Sequence, residues 1–266
     1  MGTCYWNHDV KPADTYICLD GTNQVCPRCC VEKCAVETPP WFAKCAEAGH
    51  PTWPSVKASK TVAAKLVCLE SYWNQDLFKT TSVKGFFESL ATLIRPRLQL
   101  AHRFVESERG LAYYTRYPKG LLWQVPESWN TPIYYLAFHG EPGSVKSVLD
   151  RIDSEMLLEA FRGYGSCGYD NLVYFAACSV LCGPEGEKFA LDFLAASGCR
   201  AIIGYTTPVD WMQSLVTDLL FLQRFYTNPD PWENLPDIFD SVKKDYRPAQ
   251  ALGYTLIEAP KTGRRL

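Results

Sequence analysis

No stretch of the chain approaches the roughly 18 consecutive apolar residues that a membrane span requires. The opening Met1-Gly2-Thr3-Cys4-Tyr5-Trp6 lacks the basic segment and apolar stretch of a secretory signal, and Trp6 stands where a myristoylation signal needs Ser or Thr. Positive charge is not in surplus either. Against 27 Lys and Arg stand 29 Asp and Glu, a formal net charge of −2, so nothing draws the whole molecule to nucleic acid or to an anionic membrane. Nucleic acid is therefore not an expected partner, no membrane span is expected, and the expected location is cytoplasmic. Internal repeats and low-complexity tracts are also missing. With 47% hydrophobic, 14% aromatic and 21% charged residues, the composition is that of a globular protein rather than a disordered or fibrous one.

What the chain does have is cysteine, very unevenly placed. Seven of its 12 cysteines fall in the first 45 residues: Cys4, Cys18, Cys26, Cys29, Cys30, Cys34 and Cys45. In a reducing compartment such a cluster points to metal rather than to disulfides. Cys26-Pro27-Arg28-Cys29 has the two-residue spacing that lets two thiolates share a tetrahedral zinc, and Cys30 with Cys34 offers a second pair. The expected ligand set is Cys4, Cys18, Cys26, Cys29, Cys30 and Cys34, with His8, Cys45 and His50 able to complete one site or two. A segment of about 55 residues with few aliphatic side chains is too small to fold on hydrophobic burial alone, and structural zinc would supply the missing free energy. Free or disulfide-linked thiols are the plainer alternative. The remaining cysteines, Cys68, Cys167, Cys178, Cys182 and Cys199, are scattered, as small buried hydrophobes usually are.

The composition shifts after Pro39-Pro40 and Gly49-His50-Pro51-Thr52-Trp53-Pro54, which divides the chain into a Cys-rich module over residues 1–55 and a larger domain over 56–266. In the larger domain apolar runs alternate with helical periodicity. Strands are expected at Lys65–Glu70, Leu98–Val105, Pro132–Phe138, Leu172–Ala177, Ala201–Tyr205 and Tyr254–Glu258. Helices are expected at Ser82–Ile94, with Val83, Phe86, Phe87, Leu90 and Leu93 on one face, and at Ser154–Arg162, Glu185–Ala196, Asp210–Phe225 and Asp237–Tyr246. Gly198 fits the left-handed position that ends a helix. The tyrosine-rich alternation of Gly110–Gln124 suggests a hairpin or edge strand. The expected fold is α/β, a mainly parallel sheet with helices on both faces.

Two of these strands end in reactive side chains. Tyr134-Tyr135-Leu136-Ala137-Phe138 runs into His139-Gly140, and Leu172-Val173-Tyr174-Phe175-Ala176-Ala177 runs into Cys178-Ser179. Sites of parallel sheets gather at the carboxyl ends of the strands. The separation of 39 in residue number from His139 to Cys178 accommodates one helical crossover, so neighbouring strands would bring the two side chains to one rim. An imidazole beside a thiol is the pairing that nucleophilic catalysis needs. Gly140 lets the chain present a bare N–H, and the backbone N–H groups of Gly140 and Cys178 are the natural oxyanion donors. Cys182, four residues beyond Cys178, is either a resolving thiol or a packed loop residue. The structural alternative is that His139 caps a strand and Cys178 packs beneath a helix.

Phe138-His139-Gly140 and Ala177-Cys178-Ser179, followed by Ser197-Gly198-Cys199-Arg200-Ala201 and Pro208-Val209-Asp210, resemble the CHAT branch of the caspase-like cysteine peptidases. That clan also holds caspases, metacaspases, gingipains and separases, and the resemblance covers about residues 64–260. It implies a caspase-like fold and a catalytic dyad of His139 and Cys178. It further implies cleavage of specific protein substrates, a gasdermin or another effector, in bacterial antiviral defence or programmed death. The Tyr16-Ile17-Cys18 and Val25-Cys26-Pro27-Arg28-Cys29 segments are similar to half of a RING or treble-clef finger without its usual second histidine, which suits a zinc module that recruits or is regulated by a protein partner.

Ala176 stands where caspases carry Gln and metacaspases Asp, and Ser179 replaces the Arg or His that follows the cysteine, so neither specificity carries over. Glu141, Asp170 and Asp210 are candidates for a pocket that takes a basic side chain. The alternative function is an inactive caspase-like scaffold that recruits a partner through its zinc module. A small-molecule transferase finds no support, because no Gly-rich phosphate loop follows the first strand.

Overall fold

A computed structural model of the chain describes residues 64–73, 81–94, 97–116, 120–124, 131–164 and 170–259. It also describes four two-residue strands near the amino terminus, with Gly2–Thr3 pairing Asp9–Val10 and Tyr16–Ile17 pairing Gln24–Val25, both antiparallel. The expected zinc ligands Cys4, Cys18, Cys26, Cys29, Cys30 and Cys34 lie outside the described residues, as do His8, Cys45, His50 and Cys167.

The rest of the described chain is a mixed α/β fold around one six-stranded sheet. In chain order the elements are β1 (Lys65–Glu70), α1 (Lys84–Leu93), β2 (Gln99–Phe104), α2 (Glu108–Thr115), α3 (Leu121–Gln124) and β3 (Ile133–Ala137). A small antiparallel sheet of β4 (His139–Glu141), β5 (Ser144–Lys146) and β6 (Arg151–Ile152) follows, then α4 (Ser154–Ala160) and β7 (Leu172–Ala176). The chain continues through α5 (Gly183–Ser197), β8 (Ala201–Tyr205), α6 (Trp211–Thr227), α7 (Leu235–Asp245), α8 (Arg247–Ala251) and β9 (Tyr254–Glu258). The main sheet has the order β9-β8-β7-β3-β1-β2, parallel throughout except for the antiparallel edge strand β9.

Every residue of β3, β7 and β8 is buried, which is why these strands are continuous apolar runs and not alternating ones. Alternate side chains of each strand feed two cores. Val67, Tyr134, Leu136, Val173 and Phe175 pack with Leu157 of α4 and Phe189 and Phe193 of α5. Leu66, Tyr135, Tyr174, Ile203 and Tyr205 face Phe87 of α1, Leu215 and Phe221 of α6, and Phe239 of α7. Helices therefore cover both faces, as the alternating pattern of the sequence predicts.

Two expectations change. Within Gly110–Gln124 the described residues form no hairpin or edge strand: those up to Thr115 belong to helix α2 and Leu121–Gln124 to helix α3. Ser107 caps α2 by accepting a hydrogen bond from the Gly110 N–H at 3.1 Å, and Leu111 and Thr115, four apart, are its buried stripe. In α1 the buried face is Phe87, Leu90 and Ala91, flanked by Val83 and Ile94, while Leu93 is 77% exposed. Phe86 is also largely outside the core and packs edge-on against Trp211, 5.8 Å between ring centroids. Gly198 ends α5 with φ of 70°, the left-handed cap expected of it.

Candidate active site

Strands β3 and β7 are direct parallel neighbours, with Ala137 opposite Ala176. His139 and Cys178 each lie two residues past that pair, so they leave the sheet at the same level of its carboxyl rim. Beyond Phe138 the chain turns into β4, and beyond Ala177 it makes a tight turn over Cys178, Ser179 and Val180 before α5.

The two segments press against each other. A Cβ on Gly140 would stand 2.3 Å from the Cys178 carbonyl oxygen and 2.9 Å from the Ala177 Cβ, a distance only glycine allows. Hydrogen bonds lace the cysteine turn in place: Gly143 N–H to Val180 O at 2.9 Å, Ser179 N–H to Thr207 O at 3.0 Å and Leu181 N–H to Tyr205 O at 3.1 Å. Ser179 has φ of 54°, the one positive value at a non-glycine among the described residues, so strain sits immediately after the cysteine. The Cys178 sulfur is half-buried and accepts the Val209 N–H at 3.4 Å. The Cys178 N–H lies beyond the strand and meets no backbone acceptor among the described residues.

His139 is exposed, and its Nε2 lies 3.2 Å from the Trp73 carbonyl oxygen. A carbonyl only accepts, so Nε2 carries the hydrogen and Nδ1 is left to take a proton. The Trp73 ring also packs edge-on against the imidazole, 5.4 Å between centroids. Trp73 is held in turn by Glu70, the last residue of β1, whose carboxylate is fully buried. Glu70 accepts from Trp73 Nε1 at 2.8 Å, Ser82 Oγ at 2.6 Å, Val83 N–H at 2.9 Å and His102 Nε2 at 2.6 Å. Burial alone would push its pKa up, but the hydrogen bonds from His102, Ser82, Val83 and Trp73 outweigh it and hold the carboxyl below its ordinary value. Neither Glu70 nor Trp73 stands out in the sequence, although a carboxylate at the end of the first apolar run was a readable signal.

A cavity of about 130 Å³ opens beside both His139 and Cys178 and runs down between the sheet and helix α6, with Val83, the residue before α1, on its wall. At its inner end lies Asp218, which is 1% exposed. Its Oδ2 accepts the Tyr135 hydroxyl at 2.5 Å, and its Oδ1 accepts the hydroxyls of Tyr205, at 2.5 Å, and Tyr174. Burial raises the Asp218 pKa from 3.8 to about 6, against the lowering effect of the three tyrosines. A larger cavity of about 610 Å³ among α2, α4 and α5 touches neither His139 nor Cys178, and charges on its wall pair with each other, Arg116 with Glu159 and Lys188 with Asp192.

None of the three carboxylates expected to form a basic-side-chain pocket lines the smaller cavity. Glu141 is ion-paired with Lys146 at 2.6 Å and Arg151 at 3.5 Å, and Lys146 above all holds its carboxyl below the ordinary value. Asp210 caps α6 by accepting the Gln213 N–H at 2.9 Å. Asp170 precedes β7, at the opposite rim of the sheet, and pairs with Arg200 at 3.0 Å. Cys182 is the half-buried residue that precedes α5. Cys68 and Cys199 are buried in the core, where desolvation pushes both thiols up, Cys199 to about 12, so they stay protonated. Among the described residues no three His, Cys, Asp or Glu side chains converge on a metal position, and no helix is long and apolar enough to cross a membrane.

No protein-family model matches the chain, and no curated protein matches it. Among solved structures, the chain is similar to the arginine-specific cysteine proteinase gingipain R (RgpB), with 11% identity over 76% of this chain and 48% of that one, at a TM-score of 0.45. It is also similar to the complex of Porphyromonas gingivalis RgpB pro- and mature domains, with 10% identity over 76% and 48%, at a TM-score of 0.44. The chain thus spans about half the length of the structures it matches.

Proposed function

We propose that the chain is a caspase-like cysteine endopeptidase of the CHAT type, with Cys178 as nucleophile and His139 as its proton partner. One observation carries this reading: His139 and Cys178 stand two residues past the Ala137–Ala176 pair on adjacent parallel strands and border one cavity. The Cys178 thiol gives its proton to His139 Nδ1, and the sulfur attacks the carbonyl carbon of the scissile peptide bond. The backbone N–H groups of Gly140 and Cys178 receive the resulting oxyanion. As the C–N bond breaks, His139 returns the proton to the leaving amine, which leaves a thioester on Cys178. Water, deprotonated by His139, hydrolyses the thioester to the free carboxylic acid and restores the thiol.

The strain at Ser179 and the bonds around the turn support a cysteine held for chemistry rather than a packed thiol. The substrate in this reading is a specific protein, a gasdermin or another effector, cleaved in bacterial defence or programmed death. The amino-terminal cysteines in the same reading hold structural zinc, in a module that recruits or is controlled by a protein partner. Zinc there would cross-link the segment and take no part in the cleavage.

Incubation of the full chain with candidate effectors, wild type against Cys178→Ala, tests the nucleophile: cleavage is expected from the wild type alone. Cleavage that survives the substitution sinks the assignment. Metal analysis of the full chain is expected to find at least one zinc, and a folded chain free of zinc rejects the module.

A further inference from the structure

Resting on the peptidase reading, we infer that the cavity beside Cys178 receives the substrate side chain that precedes the scissile bond, and that it selects an uncharged apolar side chain of leucine or methionine size.

The size comes first. The cavity measures about 130 Å³, slightly less than a roughly 150 Å³ apolar cavity that accepts one benzene molecule. One branched or thioether side chain fills it, and a tryptophan does not. Trp73, Val83, Phe138, Val209, Trp211 and Leu215 line the cavity beside the polar Tyr135, Ser214 and Asp218, and this mainly apolar lining rewards displacement of water by hydrocarbon.

Charge decides the rest. No Lys or Arg lines the cavity among the described residues, and His139, its one imidazole, is the proton partner of Cys178, so an acidic side chain finds no permanent cation there. It meets instead the carboxyl of Asp218 at the inner end, a repulsive neighbour whenever that group is ionised.

A basic side chain fares no better. A guanidinium brings five N–H donors, and burying it requires acceptors with a free face. Both Asp218 oxygens are already turned to the hydroxyls of Tyr135, Tyr174 and Tyr205, and the residue is 1% exposed, so a cation would have to break that arrangement to be satisfied. Glu141 and Asp210 are committed to Lys146 and Gln213 and lie outside the lining, and Asp170 lies at the far rim. The carboxyl under the cavity therefore ties the sheet to α6, and the space above it is the apolar subsite.

Binding separates this inference from the chemistry it rests on. Peptides acetyl-Ala-Ala-Ala-Xaa, with Xaa as Leu, Met, Val, Ala, Arg, Asp or Trp, are titrated calorimetrically into the full-length Cys178→Ala protein, where they bind as cleavage products. Leu and Met are expected to bind at least tenfold tighter than Ala, Arg, Asp and Trp. The single methylene between Leu and Val is expected to cost roughly 10-fold or more. Trp211→Leu, which widens the cavity, is expected to narrow the gap between Leu and Trp. Tightest binding by Arg or Asp, or no discrimination among the seven peptides, overturns the inference. If Leu and Met are preferred in binding but the wild type cleaves none of the matching extended peptides, the subsite stands and the peptidase reading falls.

Discussion

Replacing Gly140 by Ala tests whether the two rim segments are as tightly joined as the structure has them. The added Cβ would sit 2.3 Å from the Cys178 carbonyl oxygen, 2.8 Å from Val180 Cγ2 and 2.9 Å from the Ala177 Cβ. Only the valine methyl can give way by rotating. The other two atoms belong to the backbone or are fixed to it, and the backbone is held by the Gly143–Val180 and Ser179–Thr207 hydrogen bonds. Relief thus requires β4 and the cysteine turn to part by about 1 Å, given that carbon–carbon contacts are optimal near 3.5 Å and carbon–oxygen contacts are slightly shorter. Overpacking of a rigid site costs about 1–3 kcal/mol, and the backbone contact puts this case near 3. At about 2–4 °C per kcal/mol for a domain of this size, the melting temperature is expected to fall by roughly 6–12 °C. If the turn yields instead of the fold, the displaced sulfur should show it, because a misplacement of about 1 Å costs on the order of 100-fold in rate. Thermal unfolding reads the first outcome, and iodoacetamide alkylation of Cys178, followed by peptide mass spectrometry, reads the second. A variant that melts within about 1 °C of wild type and alkylates at an unchanged rate would refute the close packing.

Three further substitutions probe the supports of the site. Glu70→Gln removes the ionised acceptor shared by His102, Ser82, Val83 and Trp73 and is expected to destabilise by about 3 kcal/mol; kcat should fall more than KM because Trp73 no longer holds His139, with partial recovery in Glu70→Asp. The Glu70 carboxyl has a folded pKa below its ordinary 4.5, so the stability it contributes is present above that value and lost as pH falls through the folded pKa, a slope that urea melts should find missing in Glu70→Gln. Asp218 behaves oppositely: between its ordinary 3.8 and about 6 the folded chain holds a proton that the unfolded chain releases. Its contribution therefore falls as pH rises across that window and stays level above it, and Asp218→Asn should gain on wild type by up to about 3 kcal/mol between pH 4 and pH 7; a stability difference that ignores pH would contradict the burial argument. At Ser179, whose φ is 54°, Ser179→Gly is expected to stay within about 0.5 kcal/mol of wild type while Ser179→Val costs about 1–2, and equal melting of the two variants would remove the case for strain.

The parts of this fold that could be read from sequence are those in which one physical requirement dominates. Strands β3, β7 and β8 are buried on both faces, so every position must be apolar, and such runs have few other interpretations. Once their ends are known, the places of His139 and Cys178 follow. In Gly110–Gln124 the tyrosine-rich mix of apolar and polar positions imitates the alternation of a strand, whereas the Ser107 cap and the Leu111–Thr115 spacing decide the matter locally. Phe86 and Leu93 fall outside the core side of α1 because a helix shows that side only relative to its partners, and here Phe86 packs edge-on against Trp211 of the covering helix. The supports of the site were the least legible. Glu70 gathers donors from 3 to 32 positions away, and no local pattern encodes that convergence. Asp218 left one trace, a carboxylate in the buried stripe of Leu215, Phe221 and Leu222, where the other polar residues are the uncharged Ser214 and Thr217.

That trace also explains how the core sets the geometry of the rim. Tyr135 and Tyr174 stand opposite each other on adjacent strands, and Tyr205 lies on the next strand two residues past the partner of Tyr174, Ile203. Three neighbouring strands therefore offer one hydroxyl each to a single side chain of α6. Hydrophobic attraction is non-directional, set by the area removed from water. Three hydrogen bonds to one carboxyl add a directional constraint along the helix axis, because hydrogen-bond length and angle are narrowly bounded. Fixing α6 along its axis fixes its beginning at Asp210 and Trp211, and with it the Val209 N–H that meets the Cys178 sulfur at 3.4 Å. The cost of a buried carboxyl without a cation is thus repaid in position: the helix that covers the cavity and the donor that holds the sulfur are placed by the same three tyrosines.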